Sequence, residues 1–313
     1  MMKFSIGLDK KCLLIEKIIH FKEHIYEVYF SWGDFPNGRS NQLLKDGYST
    51  WEAYKLQISA LEKLKEQNID LNLLFNANCY GAESLSRAFF DKVGTTVDYV
   101  NEKFGLKSIT TTSPLIAKFI KNNFEKLEVR ASVNMEIGTV QGMEYLSDYF
   151  DGFYMKRELN RDFTAIKELS TWCKNKNKKL YMLANSGCLN YCSAHNFHDN
   201  LVAHEDEIAK MDNAYSFTGI CQEYLKNPDN YKTLYENMNF IRPEEICRYE
   251  EFFDVVKLAT RAHNNPTTVL ESYIRGKYSG DILRLLEPAH SIYPYVLENG
   301  EPPILKKINT DIF

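Results

Sequence analysis

Short runs of β-branched and other apolar residues alternate along this chain with longer stretches in which apolar residues recur every three or four positions. The short runs predict eight strands, at residues 4–8, 27–32, 71–77, 108–113, 127–133, 152–158, 180–185 and 253–261. The longer stretches have the spacing of amphipathic helices. Pro114 stands where a first-turn proline is expected, and Asp162 is a plausible N-cap of a further helix.

A strand followed each time by a helix predicts a parallel sheet, because the crossover returns the chain to the same edge. About eight such units favour closure into a (β/α)₈ barrel of the TIM type. An open doubly wound sheet is the alternative, although the first turn has no GxGxxG phosphate loop. No low-complexity linker or change of composition divides the chain, so residues 1–313 are expected to form one domain.

The composition narrows the class of protein. The 313 residues are 44% hydrophobic and carry a formal net charge of −4, which gives no global electrostatic case for DNA or an anionic membrane as partner. The N-terminal residues lack a signal-peptide pattern, and no run reaches the roughly 18 apolar residues of a membrane span. Seven scattered cysteines fit reduced thiols in a cytoplasmic protein.

Cysteines mark the long connection between the seventh strand and the last one. From Gly187 to about Met238 the chain makes an excursion on the C-terminal face, where barrels of this type carry their sites. Cys188, Cys192 and Cys221 lie in it, and Cys79 follows the third strand on the same predicted face. Four thiolates from separate loops can hold a 4Fe–4S cluster or a zinc ion.

Other interpretations of these residues stay open. The thiols could be incidental or buried, and Cys247 is a reserve fourth ligand. Zinc could instead take Cys188, Cys192, His195 and His198, and His204 is a further histidine of the excursion. Alternatively, these histidines only form hydrogen bonds within the excursion.

Polar residues at alternating strand positions point toward the barrel mouth. Arg130 and Asn134 share one parity in the fifth strand, Lys156 and Glu158 do so in the sixth, and Lys257 and Arg261 in the eighth. Further candidates for binding a substrate are Arg39, Asn76 and Asn185. One interpretation is a polar pocket that accepts an anion. The other is a self-satisfied network that stabilises the barrel, because charges inside a barrel are costly unless paired.

Five stretches occur in order through nearly the whole chain: NANCYG, RASVNMEIG, MKRELNRD, LANSGCLNYCSAHNFHDNLVAHE and IRPEEICRYEEFFDVVKLATR. Together they resemble a short branch of the U32 peptidase family. The resemblance implies a (β/α)₈ barrel and, as in several members, a 4Fe–4S cluster held by four cysteines. On this chain those cysteines would be Cys188, Cys192, Cys221 and Cys79.

The family resemblance leaves the substrate open. Members with assigned roles support oxygen-independent hydroxylation of ubiquinone precursors, or hydroxylation of tRNA or ribosomal RNA bases, and others carry a peptidase or collagenase label. The longer peptidase-labelled members space their cysteines differently and carry extra C-terminal domains. A homo-oligomer, or a complex with a related subunit, is compatible with this resemblance.

Three functions follow as hypotheses. The first is an iron–sulfur enzyme, or component, that modifies a small molecule or an RNA base, with Arg130, Lys156 and Lys257 orienting an anionic substrate and Glu158 as a further catalytic candidate. The second is a peptidase in which Cys188 is the nucleophile and His198 the base. The third is a non-catalytic protein in which a cluster or zinc clamps the excursion for a structural or partner-binding role.

Overall fold

The strands close into one parallel barrel surrounded by helices. The computed structural model describes residues 2–38, 50–215, 217, 219–290, 295–297 and 305–307. Around the barrel the strands are β1 (Lys3–Gly7), β2 (Ile25–Phe30), β3 (Asp70–Phe75), β4 (Ser108–Thr111), β5 (Glu128–Ala131), β6 (Gly152–Tyr154), β7 (Lys179–Leu183) and β8 (Val255–Leu258). Each strand pairs in parallel with its sequence neighbours, and β8 pairs with β1. The predicted (β/α)₈ fold is confirmed.

Helices follow the strands in the expected order. They are α1 (Ile15–His20), α2 (Thr50–Glu66), α3 (Arg87–Phe104), α4 (Pro114–Asn123), α5 (Val140–Glu144), α6 (Phe163–Asn175), α7 (His195–Ala203), α8 (Glu205–Ile208), α9 (Ile220–Leu225), α10 (Pro228–Lys232) and α11 (Pro266–Arg275). The predicted N-cap is present, since the Asp162 carboxylate accepts a hydrogen bond from the Ala165 N–H at 3.0 Å. None of the helices in the described residues combines the length and apolar character needed to cross a membrane.

The first two strands have the predicted lengths but begin one or two residues earlier, whereas β3 to β8 are shorter than predicted, mainly at their C-terminal ends. After β5 and β6 the chain leaves the sheet at once in 3₁₀ turns, Val133–Met135 and Arg157–Leu159. An apolar run in the sequence does not show where sheet hydrogen bonding stops. These early exits move polar residues from the strands into the loops at the barrel mouth.

The main hydrophobic core lies between the outer face of the barrel and the helices. Val28 of β2, Leu73 of β3 and Ile109 of β4 are fully buried there, together with Val97 of α3 and Ile120 of α4. Each such side chain contributes on the order of 1.5–3 kcal/mol by leaving water. This layer holds the helices against the barrel and thereby sets the positions of the loops.

The inside of the barrel is polar toward the N-terminal ends of the strands. Arg130 and Glu27 are fully buried, and their ion pair measures 2.6 Å between Nη1 and Oε1. Arg130 also donates from Nε to Glu128 at 2.7 Å. The Glu27 carboxylate accepts further hydrogen bonds from Ser5 at 2.8 Å and Ser108 at 3.1 Å. We call this group, with Asn72, Lys179 and Tyr181 beside it, the barrel floor.

The predicted location of Arg130 at the barrel mouth is therefore wrong. Alternation along β5 correctly predicts that the Arg130 side chain points into the barrel. It does not predict how high in the barrel the side chain lies. The floor partners of Arg130, Glu128 and Lys179, are the first residues of β5 and β7. The alternative interpretation, a paired-charge network that stabilises the barrel, applies to Arg130, although its Nη2 has no hydrogen-bond partner among the described residues. Its guanidinium also stacks on Tyr181, 4.6 Å from the ring centroid.

Replacing Arg130 by Met should lower the free energy of unfolding by about 3–5 kcal/mol, because Glu27 would then be a buried carboxylate without its counter-charge. The double variant Glu27→Gln/Arg130→Met should recover a large part of that loss. Urea unfolding of Arg130→Met, Glu27→Gln and the double variant measures the effect. Simple addition of the two single losses in the double variant would show that the ion pair does not couple these residues.

Glu128 should make stability depend on acid pH. Burial alone would raise the pKa of its carboxyl, but Arg130, Lys179 and Tyr181 outweigh burial and lower this pKa to about 2 from 4.5. The ionised carboxylate therefore stabilises the fold above about pH 4.5, and this contribution is lost as the pH falls toward 2.

Glu128→Gln should accordingly cost about 3 kcal/mol at pH 7 and progressively less as the pH falls below 4. Urea unfolding at about pH 3, 5 and 7, values that bracket the pKa of a glutamate in the unfolded chain, measures that change. Glu62→Gln is the control, since Glu62 forms an exposed pair with Lys103 at 3.7 Å. A Glu128→Gln loss that is the same at all these pH values would contradict the assignment.

Candidate functional site at the C-terminal face of the barrel

The excursion between β7 and β8 begins in a segment that is fixed by backbone hydrogen bonds. Fully buried Asn185 donates to the carbonyls of Ala259 and Leu285 and accepts from the Ala259 N–H. Gly187 donates its N–H to the Glu287 carbonyl at 3.0 Å. A Cβ at Gly187 would lie 2.1 Å from the Pro288 carbonyl oxygen, so only glycine fits this close approach. Cys188 therefore directly follows a segment whose backbone is fixed in place.

Three half-buried cysteines of the excursion lie close together. Burial raises the pKa of the Cys221 thiol, and the neighbouring Cys188 and Cys192 sulfurs raise this pKa further. Cys188 precedes α7 by one loop, Cys192 lies just before α7, and Cys221 belongs to α9. We call Cys188, Cys192 and Cys221 the cysteine trio. The structure brings together three of the four predicted metal ligands.

A buried arginine connects the trio to a group of acidic residues. Arg157, in the 3₁₀ turn after β6, donates from Nη1 to the Cys188 Sγ at 3.5 Å and from Nη2 to Glu136 at 3.2 Å. It also contacts the His195 ring and lies 3.9 Å from Asp199. An arginine that is only 3% exposed in its side chain needs such partners, because a buried charge is costly alone.

Glu136, beside this arginine, has a strained backbone conformation. Its backbone is left-handed, with φ at 54°, and its carboxylate lies 3.4 Å from Nδ1 of His195. Burial raises the pKa of the Glu136 carboxyl, and the Arg157 charge opposes that rise. Non-glycine residues with positive φ are costly and concentrate at functional sites. Glu136 is thus a carboxyl group suited to keeping or passing a proton.

Ligand spacing separates two kinds of metal site here. A single metal ion needs at least three ligand atoms close together. Among the described residues, Glu136, Glu158 and His195 offer such a group, with ligand atoms within 4.8 Å of one another. The cysteine trio interacts electrostatically but does not converge to this single-ion spacing. A four-iron cluster is wider than one ion, so its ligand sulfurs lie further apart. The single-ion ligand group in the described residues therefore contains no cysteine of the trio.

The remaining predicted metal ligands have other surroundings. His204, which follows α7, lowers the pKa of the Cys79 thiol, whereas Arg157, which donates to Cys188, contacts His195 at the other end of that helix. Nine residues of α-helix rise about 13 Å. Cys247 is exposed, and its Sγ lies 3.8 Å from the Glu244 carbonyl oxygen. The structure does not place either of them beside the trio.

Several predicted binding residues do meet at the barrel mouth. A cavity of about 50 Å³ is lined by Asn76, Asn134, Arg157, Lys257 and Arg261, with Glu287 among its other walls. Gly38 belongs to this wall, because its N–H donates to the Asn76 side chain and a Cβ there would lie 2.7 Å from the Asn134 amide nitrogen. Lys257 lies 4.1 Å from the centroid of the Tyr29 ring. Amide and cationic groups thus converge on one small space.

Other predicted site residues lie away from this cavity. Asn185 is occupied by the backbone contacts described above, the stem of Lys156 lies against Gly138, and the Glu158 carboxylate joins Glu136 and His195. His198 packs 5.5 Å from the Phe217 ring and lines an open apolar groove of about 820 Å³ on the excursion. Arg39 lies outside the described residues.

Sequence reasoning did not select Arg157 and Glu136. Both lie in stretches that carry the family resemblance, MKRELNRD and RASVNMEIG, but they follow the ends of β6 and β5 where strand alternation no longer applies. One sequence feature could have indicated them: a charged residue that directly follows a strand of a parallel barrel faces the C-terminal rim.

Comparison with known proteins gives one homologue and one informative structure. No family model matches the chain. It is 24% identical over 284 residues to a protein of Methanocaldococcus jannaschii named uncharacterized protease MJ1657, a match that covers 89% of this chain and 80% of that protein. The solved structure of the U32 peptidase Mk0906 superposes with a TM-score of 0.57 at 14% identity, covering 82% of this chain and 92% of the other.

Two thiols outside the trio, half-buried Cys12 and buried Cys173, should resist alkylation. Burial, followed by the charge of Asp9, raises the pKa of Cys12 to about 12, and burial raises that of Cys173 to about 12 as well. At pH 8 each of these should react with iodoacetamide about 1000-fold more slowly than an exposed thiol with an ordinary pKa. Peptide mass spectrometry of the labelled native chain measures the order, with exposed Cys247 as reference. Equal labelling of Cys173 and Cys247 in folded protein would contradict it.

Proposed function

We propose that this chain, for which the homologue and the structural neighbour support the U32 peptidase family, is an iron–sulfur protein that modifies a small anionic molecule. The observation that carries the proposal is the cysteine trio on a rigid loop of the barrel's C-terminal face. Cys188, Cys192 and Cys221 would hold a 4Fe–4S cluster. Zinc is the less favoured occupant, because the three sulfurs do not converge to single-ion spacing.

The donor set fits such a cluster chemically. Three half-buried sulfurs, whose charges would oppose one another if all were thiolates, favour a group that supplies compensating positive charge. The Arg157 N–H that points at Cys188 stabilises sulfur in its charged form, and hydrogen bonds to ligand sulfurs also shift the reduction potential of a cluster. When bound, the cluster would supply electron transfer at this face.

The residues around the trio are suited to proton and substrate handling. Glu136, with a raised carboxyl pKa and His195 at 3.4 Å, can hold a proton and deliver it beside Cys188 and Arg157. At the mouth, Lys257 and Arg261 supply positive charge, and the amides of Asn76 and Asn134 supply hydrogen bonds.

The mouth cavity limits the size of the group that it accepts. A volume of about 50 Å³ has room for roughly four water molecules, which is enough for a carboxylate or a similarly small anionic group. The rest of a substrate would remain outside it. We therefore favour oxygen-independent hydroxylation, or a related modification, of a carboxylate-bearing small molecule over that of an RNA base.

Metal and sulfide analysis of anaerobically purified protein tests this proposal. The wild type should contain about four irons and four sulfides per chain, and Cys192→Ala should lose most of both. Cys247→Ser is the matched control and should retain the wild-type content, because Cys247 is exposed and away from the trio. Stoichiometric zinc without iron, or folded protein free of both metals, would overturn the iron–sulfur assignment.

A further inference from the structure

Three side chains that can bind a metal ion meet at the rim of the barrel, each from a different element. Glu136 follows the 3₁₀ turn after β5, Glu158 lies in the 3₁₀ turn after β6, and His195 is the first residue of α7. One oxygen of each carboxylate and one ring nitrogen of the histidine lie within 4.8 Å of one another. The group thus has the ligand types and the closeness that a single ion requires.

The His195 ring presents one nitrogen to this group. Its Nδ1 lies 3.4 Å from Oε1 of Glu136, whereas its Nε2 lies 3.2 Å from Oδ2 of Asp199 and also contacts Arg157. Because Nε2 has these partners, Nδ1 is the nitrogen that an ion between the histidine and the glutamates would bind. A histidine that binds a metal usually has its other ring nitrogen against a carboxylate, which fixes the orientation of the ring.

One carboxylate oxygen of the group lacks a partner. Oε2 of Glu158 is buried and forms no hydrogen bond with the residues that the structure describes. A buried carboxylate oxygen is costly when it is unpaired, and in native proteins such atoms are commonly satisfied by a bound water or ion. Glu136 carries a second cost, because its left-handed φ of 54° is unfavourable for a residue other than glycine. Together these two features indicate a ligand held between the carboxylates.

The charges of this region are not balanced within the group. Arg157 lies 3.2 Å from Glu136 and 3.9 Å from Asp199, and Glu158 adds a third carboxylate. With His195 neutral, the ionised group has an excess of two negative charges, which a divalent cation would neutralise. Burial raises the pKa of the Glu136 carboxyl, the Arg157 charge opposes this rise, and the Glu158 charge adds to it. Binding of a metal ion replaces the proton that such a carboxyl otherwise keeps.

We propose that Glu136, Glu158 and His195 bind one divalent transition-metal ion of the Mn²⁺ or Fe²⁺ type, at a site separate from the cysteine trio. Carboxylate and imidazole ligands suit such ions, whereas thiolates select zinc or an iron–sulfur cluster. Two donor atoms on opposite sides of one ion, each at about 2.1 Å, lie about 4.2 Å apart. The three side chains therefore need to close on the ion by only on the order of 1 Å. This site goes beyond the proposed function and does not depend on a cluster at the trio.

The position of the site relates it to the rest of the rim. Arg157 donates to both Glu136 and Cys188 and also lines the mouth cavity. The Glu136 side chain is 29% exposed, so one side of the ion would be accessible. Three protein ligands that leave a position open are typical of catalytic rather than structural metal sites. The ion would thus bind a water molecule or an oxygen atom of the substrate next to the groups that accept an anion.

Titration with Mn²⁺, followed by the EPR signal of the free ion, tests the proposal on the whole, anaerobically purified chain. Wild-type protein should bind one Mn²⁺ per chain, and a large excess of Mg²⁺ should not displace it, because Mg²⁺ prefers oxygen ligands alone. Glu158→Gln and His195→Gln should each weaken Mn²⁺ binding by at least about 10-fold, the loss that follows even when an outer partner of a ligand is removed. Saturating Mn²⁺ should raise the Tm of the wild type but not that of Glu158→Gln.

Two further variants make the outcome decisive. Glu223→Gln is the matched control and should bind Mn²⁺ like the wild type, because Glu223 lies on the same excursion in an exposed pair with Lys226 at 2.7 Å. Cys192→Ala should keep its Mn²⁺ binding, and Glu158→Gln should keep its iron and sulfide, so that failure of this proposal and failure of the iron–sulfur proposal are distinguishable. Loss of Mn²⁺ binding in folded Cys192→Ala would place the ion at the trio and overturn the proposal. So would a wild type that binds no Mn²⁺, or equally tight binding by Glu158→Gln.

Discussion

Closure of eight parallel strands constrains where chemistry can occur in this protein. Every strand must end at the same rim, so groups far apart in sequence become neighbours there. Asn76 follows β3, Asn134 follows β5, Arg157 follows β6 and Arg261 follows β8, and all four line one small cavity. The excursion starts at this rim, and the core packed around the barrel keeps the rim in place.

Buried charge is handled differently at the two ends of the barrel. In the barrel floor, Arg130 is neutralised by Glu27 and Glu128 and is stacked on Tyr181, so its charge has no accessible face. At the rim, Arg157 lies near the carboxylates of Glu136 and Asp199 and also donates to the Cys188 sulfur. A thiol is a weak hydrogen-bond acceptor unless it is charged. The rim arginine thus connects carboxylates to a sulfur, whereas the floor arginine is enclosed by carboxylates and an aromatic ring.

Helix α7 separates cysteines with different surroundings. Near its first residue, the half-buried sulfurs of the trio raise the pKa of Cys221, and this closeness is the basis of the proposed cluster site. Beyond its last residue, the Cys79 Sγ accepts the Gly81 N–H, and His204 lowers the pKa of this thiol. The number of cysteines alone does not reveal these differences, because they depend on the partners that the fold gives to each sulfur.

Alternation of short apolar runs with helical stretches determined the eight strands, their parallel order, the barrel and the face that carries the excursion. The same alternation gave the inward direction of Arg130 but not its height in the barrel, since a period of two distinguishes faces and not levels. Asn185, chosen as a binding residue, is occupied by backbone groups from two distant segments. The pairing of Cys79 with His204 depends on how the excursion folds over the rim. Only the tertiary structure could decide these points, because each depends on contacts between segments that no local pattern relates.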